Sequence, residues 1–471
     1  MSGGQEWRSV PIGIDAHRWV TRPDCKSVLA VVHTVTSGQR LMDALRLVEN
    51  DLRIQVVFTA APDVFGNGVA EFLHGLRGPC ITWEQATRQW FDLALAASLG
   101  AIHEVHAPLV VMPHGAGFSK RARGRAGLRV VDGGAVGVGS AGRRPVGGKP
   151  GVYGLDAQRL MHDGEVVPAA IALPHAAELG TLGRSCPEAV PVADVVGDPS
   201  FDRLMASLAH RDAYRRALAV RPDETLVVVS STWGPRSLFA RSSELLSRLL
   251  AELPGREFRV VVLLHPNIWF AHGVWQVRTW LADGLRHGLG LVPPGADWRG
   301  VLAAADLVIG DHGSVTAYAT AAGVPVLLAE FADSDVDPAS PAGELAAVAP
   351  RLSADGPLRE QFAVARDRAS AGRYEGVAAR ITSEPGHFDR NMRRLMYRLL
   401  ELPQPATITV TPPAAVPYLL GRRPWDVAAP GPAEERGPGS VNCATCSGGG
   451  GVTAAENDVP ARWWPPIRRR A

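Results

Sequence analysis

Two stretches of this chain share one pattern, in which short, wholly apolar runs are separated by longer segments with the period of an amphipathic helix. In the first stretch the apolar runs fall at 28–32, 53–59 and 108–113, with helix-period segments at 37–49 and 83–99. Ser37 is placed to cap the first of these helices. In the second stretch the runs fall at 225–231, 258–265, 306–311 and 324–329, alternating with helix-period segments at 200–218, 237–253, 272–287 and 314–322. Continuous apolar strands must be covered on both faces, so their alternation with helices predicts parallel sheets with helices on either side. The pattern resumes at Ala193 after an interruption, which predicts an α/β chain of two Rossmann-like, doubly wound domains facing a cleft, at 1–190 and 191–385.

Residues 386–402 then read as a terminal amphipathic helix with Leu395, Leu399 and Leu402 on one face. From 403 to 471 Pro and Gly dominate and no periodic apolar face remains, which predicts a disordered C-terminal tail. The pattern also dissolves at 115–154, a Gly-rich stretch carrying Arg121, Arg123, Arg125, Arg129, Arg143 and Arg144 with hardly any acids. Such a stretch is either an ordinary surface loop or an arm that steers an anionic ligand toward the cleft.

Composition narrows the classes open to the chain. Its 471 residues exceed what one hydrophobic core accommodates, in keeping with two domains. A formal net charge of +2 supplies no basic field of the kind that drives nonspecific nucleic-acid binding, so no nucleic-acid partner is expected. No run approaches the roughly 18 apolar residues of a membrane span, and the first residues lack the layout of a signal peptide. Cys25, Cys80, Cys186, Cys443 and Cys446 are scattered and odd in number, which argues against a disulfide framework and for a cytoplasmic location. Cys443 and Cys446 have half the spacing of a zinc site but no second pair follows, so no metal is expected. Trp463, Trp464 and the arginines after them suit either an unstructured tail or peripheral contact with an anionic inner membrane face.

The polar residues that follow the apolar runs carry the candidate chemistry. In open α/β sheets ligands bind at the carboxyl ends of the strands. There the chain places His114-Gly115, then Ser230 to Trp233, then His265-Pro266, then Asp311-His312-Gly313-Ser314, and finally Glu330. Gly313 allows backbone to approach a ligand, and a helix opening at Ser314 would offer free N–H groups and a favourable dipole to a phosphate. Ser314 could equally serve as the cap of that helix. His114 and His265 could each be satisfied structural residues. Two imidazoles entering one cleft from different domains instead suit proton transfer and stabilisation of phosphate oxygens, the latter in the charged form.

These residues resemble the CDP-glycerol glycerophosphotransferase family, whose members have a GT-B fold. Pro113-His114-Gly115-Ala116 followed by Lys120 is similar to the family's Trp-His-Gly-Thr element followed by lysine. Gly197-Asp198-Pro199-Ser200-Phe201-Asp202 resembles Gly-x-Pro-Arg-x-Asp. Ser231-Thr232-Trp233, with Arg236 displaced, resembles Pro-Thr-Trp-Arg, and His265-Pro266 resembles the family's His-Pro pair. Asp311-His312-Gly313-Ser314 is similar to its Asp-Tyr-Ser-Ser. The tryptophan before His114 and the arginine after Pro199 are replaced here by proline and serine.

The resemblance implies transfer of a phosphoglycerol-like group from a CDP-linked donor to an acceptor hydroxyl, free or lipid-linked, as in cell-envelope polymer synthesis. It implies catalytic roles for His114 and His265. Thr232, Trp233, His265, Asp311, His312, Gly313, Ser314 and Glu330 are then expected to bind nucleotide, and Lys120 and Arg236 to bind an acceptor or anion. The scheme requires no cofactor. A nucleotide-sugar epimerase or GT-B glycosyltransferase with a UDP-linked donor, and a catalytically silent nucleotide-binding protein, are the alternatives.

Overall fold

Every residue of β1 (Lys26–Val32) from Val28 onward is buried, and the strand is paired on both edges, which makes it a natural centre for the first sheet. It is followed by β2 (Ile54–Ala60), β3 (Cys80–Ile81), β4 (Leu93–Ala96) and β5 (Leu109–Val111). A small antiparallel hairpin of β6 (Met161–His162) and β7 (Glu165–Val166) precedes β8 (Ala170–Leu173) and β9 (Ala193–Val195). The sheet order is β3-β2-β1-β4-β5-β8-β9, parallel throughout. The second sheet contains β10 (Thr225–Ser231), β11 (Phe258–Leu264), β12 (Gly290–Val292), β13 (Leu307–Gly310) and β14 (Val326–Leu328), in the order β12-β11-β10-β13-β14 and again parallel. This computed structural model describes residues 8–13, 16–121, 151–242, 244–407 and 409–421. Most of the arginine-rich stretch at 115–154, and the expectations placed on Cys443, Cys446 and Trp463, lie outside the described residues.

Each sheet is covered on both faces, as the apolar strands require. One apolar cluster packs Val28, Ala30, Leu93 and Val110 beneath the helix Val35–Leu45, and another packs Leu29, Val31, Ala94 and Ile171 on the opposite face. The second sheet does the same with Val228 and Val261 on one side and Val227, Val229 and Val262 on the other. The strand order reverses between β1 and β4, and again between β10 and β13. A crevice opens at the carboxyl ends of strands at such a switch point.

Several expectations change in the structure. The segment 83–99 is helical only at Trp83–Ala86, while Leu93–Ala96 is a central strand. Leu and Ala favour helix locally, but pairing of Leu93–Ala96 with β1 and β5 outweighs that preference, a tertiary override. The strand opening at Ala193 belongs to the first sheet, where it pairs with β8, so the chain leaves that sheet after residue 195 rather than near 190. The cap of the first helix is Thr34, whose side chain accepts from the N–H of Ser37, and Ser37 supplies the reciprocal bond. Residues expected as one helix at 272–287 form Pro266–Trp280, which breaks at Gly273 (φ 81°), and Ala282–Arg286.

The tail expectation also divides. The helix Phe388–Leu399 returns to the first sheet, where Phe388, Met392, Leu395 and Met396 pack with Val32 and Val196. The chain then continues in order to Gly421. Ala414 is buried in the second sheet's core, its carbonyl accepts from Tyr214 Oη at 2.8 Å, and Leu420 N–H donates to Leu291 on β12 at 2.9 Å. The described residues between 403 and 421 form no helix or strand, and proline-rich chain of this kind needs no periodic apolar face.

Candidate active site in the cleft between the sheets

His114 lies three residues beyond β5, and its position is fixed from the neighbouring strand. Nδ1 is 2.8 Å from the carbonyl oxygen of Ala97, just beyond β4. A carbonyl can only accept, so Nδ1 carries the proton and Nε2 presents a lone pair. His265 ends β11 and caps the helix Pro266–Trp280, where its Nδ1 accepts the N–H of Asn267 at 3.1 Å. The neutral ring therefore carries its proton on Nε2. The two imidazoles are thus opposite tautomers, one presenting an acceptor and the other a donor.

Both rings are neutral at physiological pH. Burial, opposed by the Ala97 carbonyl and assisted by Lys120 and Arg40, pushes His114 down to about 4, although the residue as a whole keeps solvent-exposed surface. Burial, with Lys120 and His114 adding to it, pushes His265 down to about 3. Without a ligand the His265 ring is therefore neutral and presents an N–H, where the sequence suggested a charged form. His312 is also held below its ordinary value, mainly by burial. The Lys120 charge contributes to the depression of all three histidines, which places them around one cation. Lys120 Nζ lies 4.9 Å from the centroid of the Trp233 ring. Trp233 packs against Phe65 of the first sheet's loops at 4.4 Å between ring centroids and lies 6.3 Å from His265.

The loop bearing His114 and Lys120 is anchored to the second sheet's loops. Ser119 accepts from Asp337 N–H at 2.9 Å, and Arg121 N–H donates to Asp335 at 2.8 Å. Gly115 is needed where this loop meets the helix Ser314–Ala321, because a Cβ there would stand 2.4 Å from Ser314 Oγ. Gly313 caps that helix without a side-chain bond, so the Ser314 hydroxyl is not spent on capping.

Other expected ligand residues are engaged in holding the rim together. The carboxylate of Asp311 is buried and accepts the N–H groups of Thr232 (2.9 Å), Leu238 (2.9 Å) and Gly313 (2.9 Å). It ties the end of β10 to the end of β13 across the switch point, which leaves Thr232 to offer its hydroxyl rather than its amide. Glu330 accepts from Ser242 Oγ at 3.0 Å. Arg236 is ion-paired with Asp335 and donates to Ser334 Oγ at 3.0 Å, so its guanidinium is already neutralised. The structure therefore gathers His114, His265, His312, Lys120, Trp233 and Ser314, and it gives Asp311, Glu330 and Arg236 partners of their own.

A buried ionic network beside this loop left no signal in the sequence. Arg40, on the first helix, donates to the Gly115 carbonyl at 3.0 Å and to Tyr318 Oη at 3.1 Å, and pairs with Asp198 at 3.4 Å. Tyr318 Oη in turn donates to Asp198 at 2.8 Å. One turn along the same helix, Asp43 pairs with Arg203 at 2.6 Å and Arg299 at 2.5 Å. Burial alone would raise Asp43, but Arg299, Arg203 and Arg40 together hold it below the usual carboxylate range. The Gly197–Asp202 motif sits in this joint. Asp198 caps the helix Pro199–Ser207, Ser200 accepts from Arg299 at 3.0 Å, and Asp202 accepts the N–H groups of Gly386 and Phe388 at 2.6 and 3.1 Å.

Two doubly wound parallel sheets, with a cleft at their carboxyl ends and a terminal helix crossing back to the first, define the GT-B fold. Among solved structures the chain is similar to a variant of the wall teichoic acid polymerase TagF soaked with CDPG, at 12% identity and a TM-score of 0.51, covering 81% of this chain and 91% of that one. It is similar to TagF itself at 11% identity and a TM-score of 0.50, covering 80% and 89%. The S. aureus MnaA-UDP co-structure matches at 11% identity and a TM-score of 0.49, covering 82% and 100%. No family model matches the chain, and no curated protein matches it. No helix among the described residues is long and apolar enough to cross a membrane.

Proposed function

We propose that this protein is a transferase that moves a phosphoglycerol-like group from a CDP-linked donor to an acceptor hydroxyl. The observation that carries the reading is the opposed tautomers of His114 and His265. An acceptor hydroxyl needs a lone pair to take its proton, and a phosphate oxygen needs a donor, and the two rings offer one of each.

In this scheme the acceptor oxygen attacks the donor phosphorus while its proton passes to Nε2 of His114. The new P–O bond forms as the bond from that phosphorus to the bridging oxygen breaks, and CMP leaves with the electron pair. Nε2–H of His265, the Lys120 charge, the Ser314 hydroxyl and the start of its helix face the phosphates. A pKa of about 4 makes His114 a weak base in the empty cleft. A bound anionic donor raises it, since negative charge favours the imidazolium. Trp233 supplies a flat apolar surface next to Lys120, suited to the base or ribose. An acceptor carried on a lipid would reach the site from the membrane surface without any spanning segment.

Phosphorus NMR of the protein with a hydroxyl acceptor such as glycerol phosphate, together with CDP-glycerol or, separately, with a UDP-sugar, tests the proposal. Release of CMP supports it. Release of UDP replaces it with a nucleotide-sugar reaction, and an unchanged spectrum for both donors leaves a nucleotide-binding protein without this activity.

A further inference from the structure

We propose that Glu178 is a positioning residue for the His114–Lys120 loop, holding the loop closed when its carboxyl is protonated and loosening it when ionised. The inference deepens the reading of the cleft given above, because it concerns the same loop, but its test does not depend on turnover.

The geometry comes first. Glu178 lies in the first turn of the helix Ala177–Ser185, which follows β8, and is 3% exposed. Its Oε1 accepts the N–H of Phe118 at 3.2 Å. Gly117 lies directly against the same oxygen. Its φ of +64° is one that glycine adopts without cost, and a Cβ there would stand 2.4 Å from Oε1. The other oxygen, Oε2, is buried and has no hydrogen-bond partner among the described residues. A buried carboxylate oxygen without a donor is costly, whereas a protonated carboxyl is tolerated.

Among the other described anchors of this loop His114, bonded to the Ala97 carbonyl, also titrates, and its lowered pKa favours opening as pH falls, the opposite sense to Glu178. Gly115 is held through its carbonyl by Arg40, and Ser119 and Arg121 are held through backbone groups. The charges that act on Glu178 come from two other elements. Arg380, on the helix Glu375–Ile381, favours ionisation, and Asp198, capping the helix Pro199–Ser207, opposes it. Arg380 does not neutralise Glu178 outright, because its Nε donates to the Ala339 carbonyl at 2.9 Å and it faces Glu344 at 3.9 Å. His175, which lies near Arg380, is itself held below its ordinary value, mainly by burial. Burial of Glu178, opposed by the Phe118 N–H and Arg380, pushes its carboxyl up to about 7.

The sign follows from linkage. A group whose pKa is raised in the closed state favours that state below its ordinary pKa, and this advantage is lost as pH rises through the raised value. Opening of the loop restores an ordinary carboxyl, so the contribution of Glu178 to the opening equilibrium climbs with pH from about 4.5 and levels off near 7. Each unit of pKa difference corresponds to about tenfold, so the total rise is on the order of a hundredfold.

Hydrogen exchange of the full chain between pH 5 and pH 8, corrected for the intrinsic pH dependence of amide exchange, measures that opening at Phe118. Wild type should lose about a hundredfold more protection across this range than Glu178→Gln, which keeps the acceptor oxygen and the shape and carries the same His114 contribution. The Glu178 carboxyl, observed by carbon NMR and assigned by its absence in the variant, should titrate near neutrality. Matching pH dependence in wild type and Glu178→Gln would overturn the proposal, as would a carboxyl that titrates near 4.5. Neither result depends on the donor, so failure here is distinguishable from failure of the transferase reading.

Discussion

The carbonyl oxygen of Ala97 stands 2.8 Å from Nδ1 of His114, and this one contact between the ends of two adjacent strands sets which nitrogen of the ring faces the cleft. A histidine free to rotate would offer either nitrogen. Held this way, it offers Nε2 as an acceptor.

Replacing His114 with alanine should remove turnover while leaving donor affinity close to wild type, because in the proposed scheme the ring acts on the acceptor. Loss of a positioned base costs about 10²–10⁴-fold in rate. Rates by phosphorus NMR and donor affinity by calorimetry separate the two effects. A variant that turns over normally but binds CDP poorly would reverse the assignment of roles.

Gly115→Ala should spread the loop away from the helix Ser314–Ala321, since the added Cβ would meet Ser314 Oγ at 2.4 Å and its Cβ at 3.3 Å. Affinity for CDP should fall while affinity for cytidine is spared, if the helix start and loop together hold the pyrophosphate. Removing the hydroxyl with Ser314→Ala should recover part of the stability lost in Gly115→Ala, as expected for residues in contact. Additive effects on melting temperature in the double variant would show that the two residues do not touch.

Asp43→Asn should destabilise the fold at neutral pH by about 1.5–3 kcal/mol, because Arg203 and Arg299 lose one of the two carboxylates they share and keep only Asp297. Asp43 has a depressed pKa, so its contribution is present above the unfolded value and is lost as pH falls through the folded one. The gap between variant and wild type should therefore narrow below about pH 4. Urea melts at pH 7 and pH 3 measure it, and an equal gap at both would show that ionisation of Asp43 is not the source.

Ending the chain after Leu402 should lower the melting temperature by several degrees. The cut removes Ala414 from the second sheet's core, the acceptor of Tyr214 Oη, and the bond from Leu420 to Leu291. A melt indistinguishable from that of the full chain would mean that residues 403–421 contribute no stability.

Much of the architecture is legible in the sequence because burial on both faces writes itself as an unbroken apolar run. Residues 28–32, 225–231 and 258–265 each gave their strand in this way, and the polar residues that follow them marked the rim on which His265 and Thr232 sit. His114 and Ser314 were likewise legible as polar residues at the ends of apolar strands, and Lys120 through the family resemblance alone. What they do there was not. The tautomer of His114 depends on a carbonyl 17 residues away in sequence, and that of His265 on where its helix begins.

Elsewhere local preference and final structure diverge. Leu93–Ala96 has the composition of a helix and becomes a strand because β1 and β5 flank it. Asp311 and Arg236 have the chemistry of ligand residues, yet backbone amides claim the first and Asp335 the second. Arg40, Asp43, Asp198, Arg299 and Tyr318 are spread over nearly 280 positions, and nothing in their spacing pairs them. Glu178 reads as an ordinary helical glutamate until the loop folds over it. Sequence determines which segments must be buried, because hydrophobicity is a property of each residue alone. Which charges meet, which proton a histidine holds and which carboxyl is cut off from water are properties of pairs, and only tertiary packing decides them.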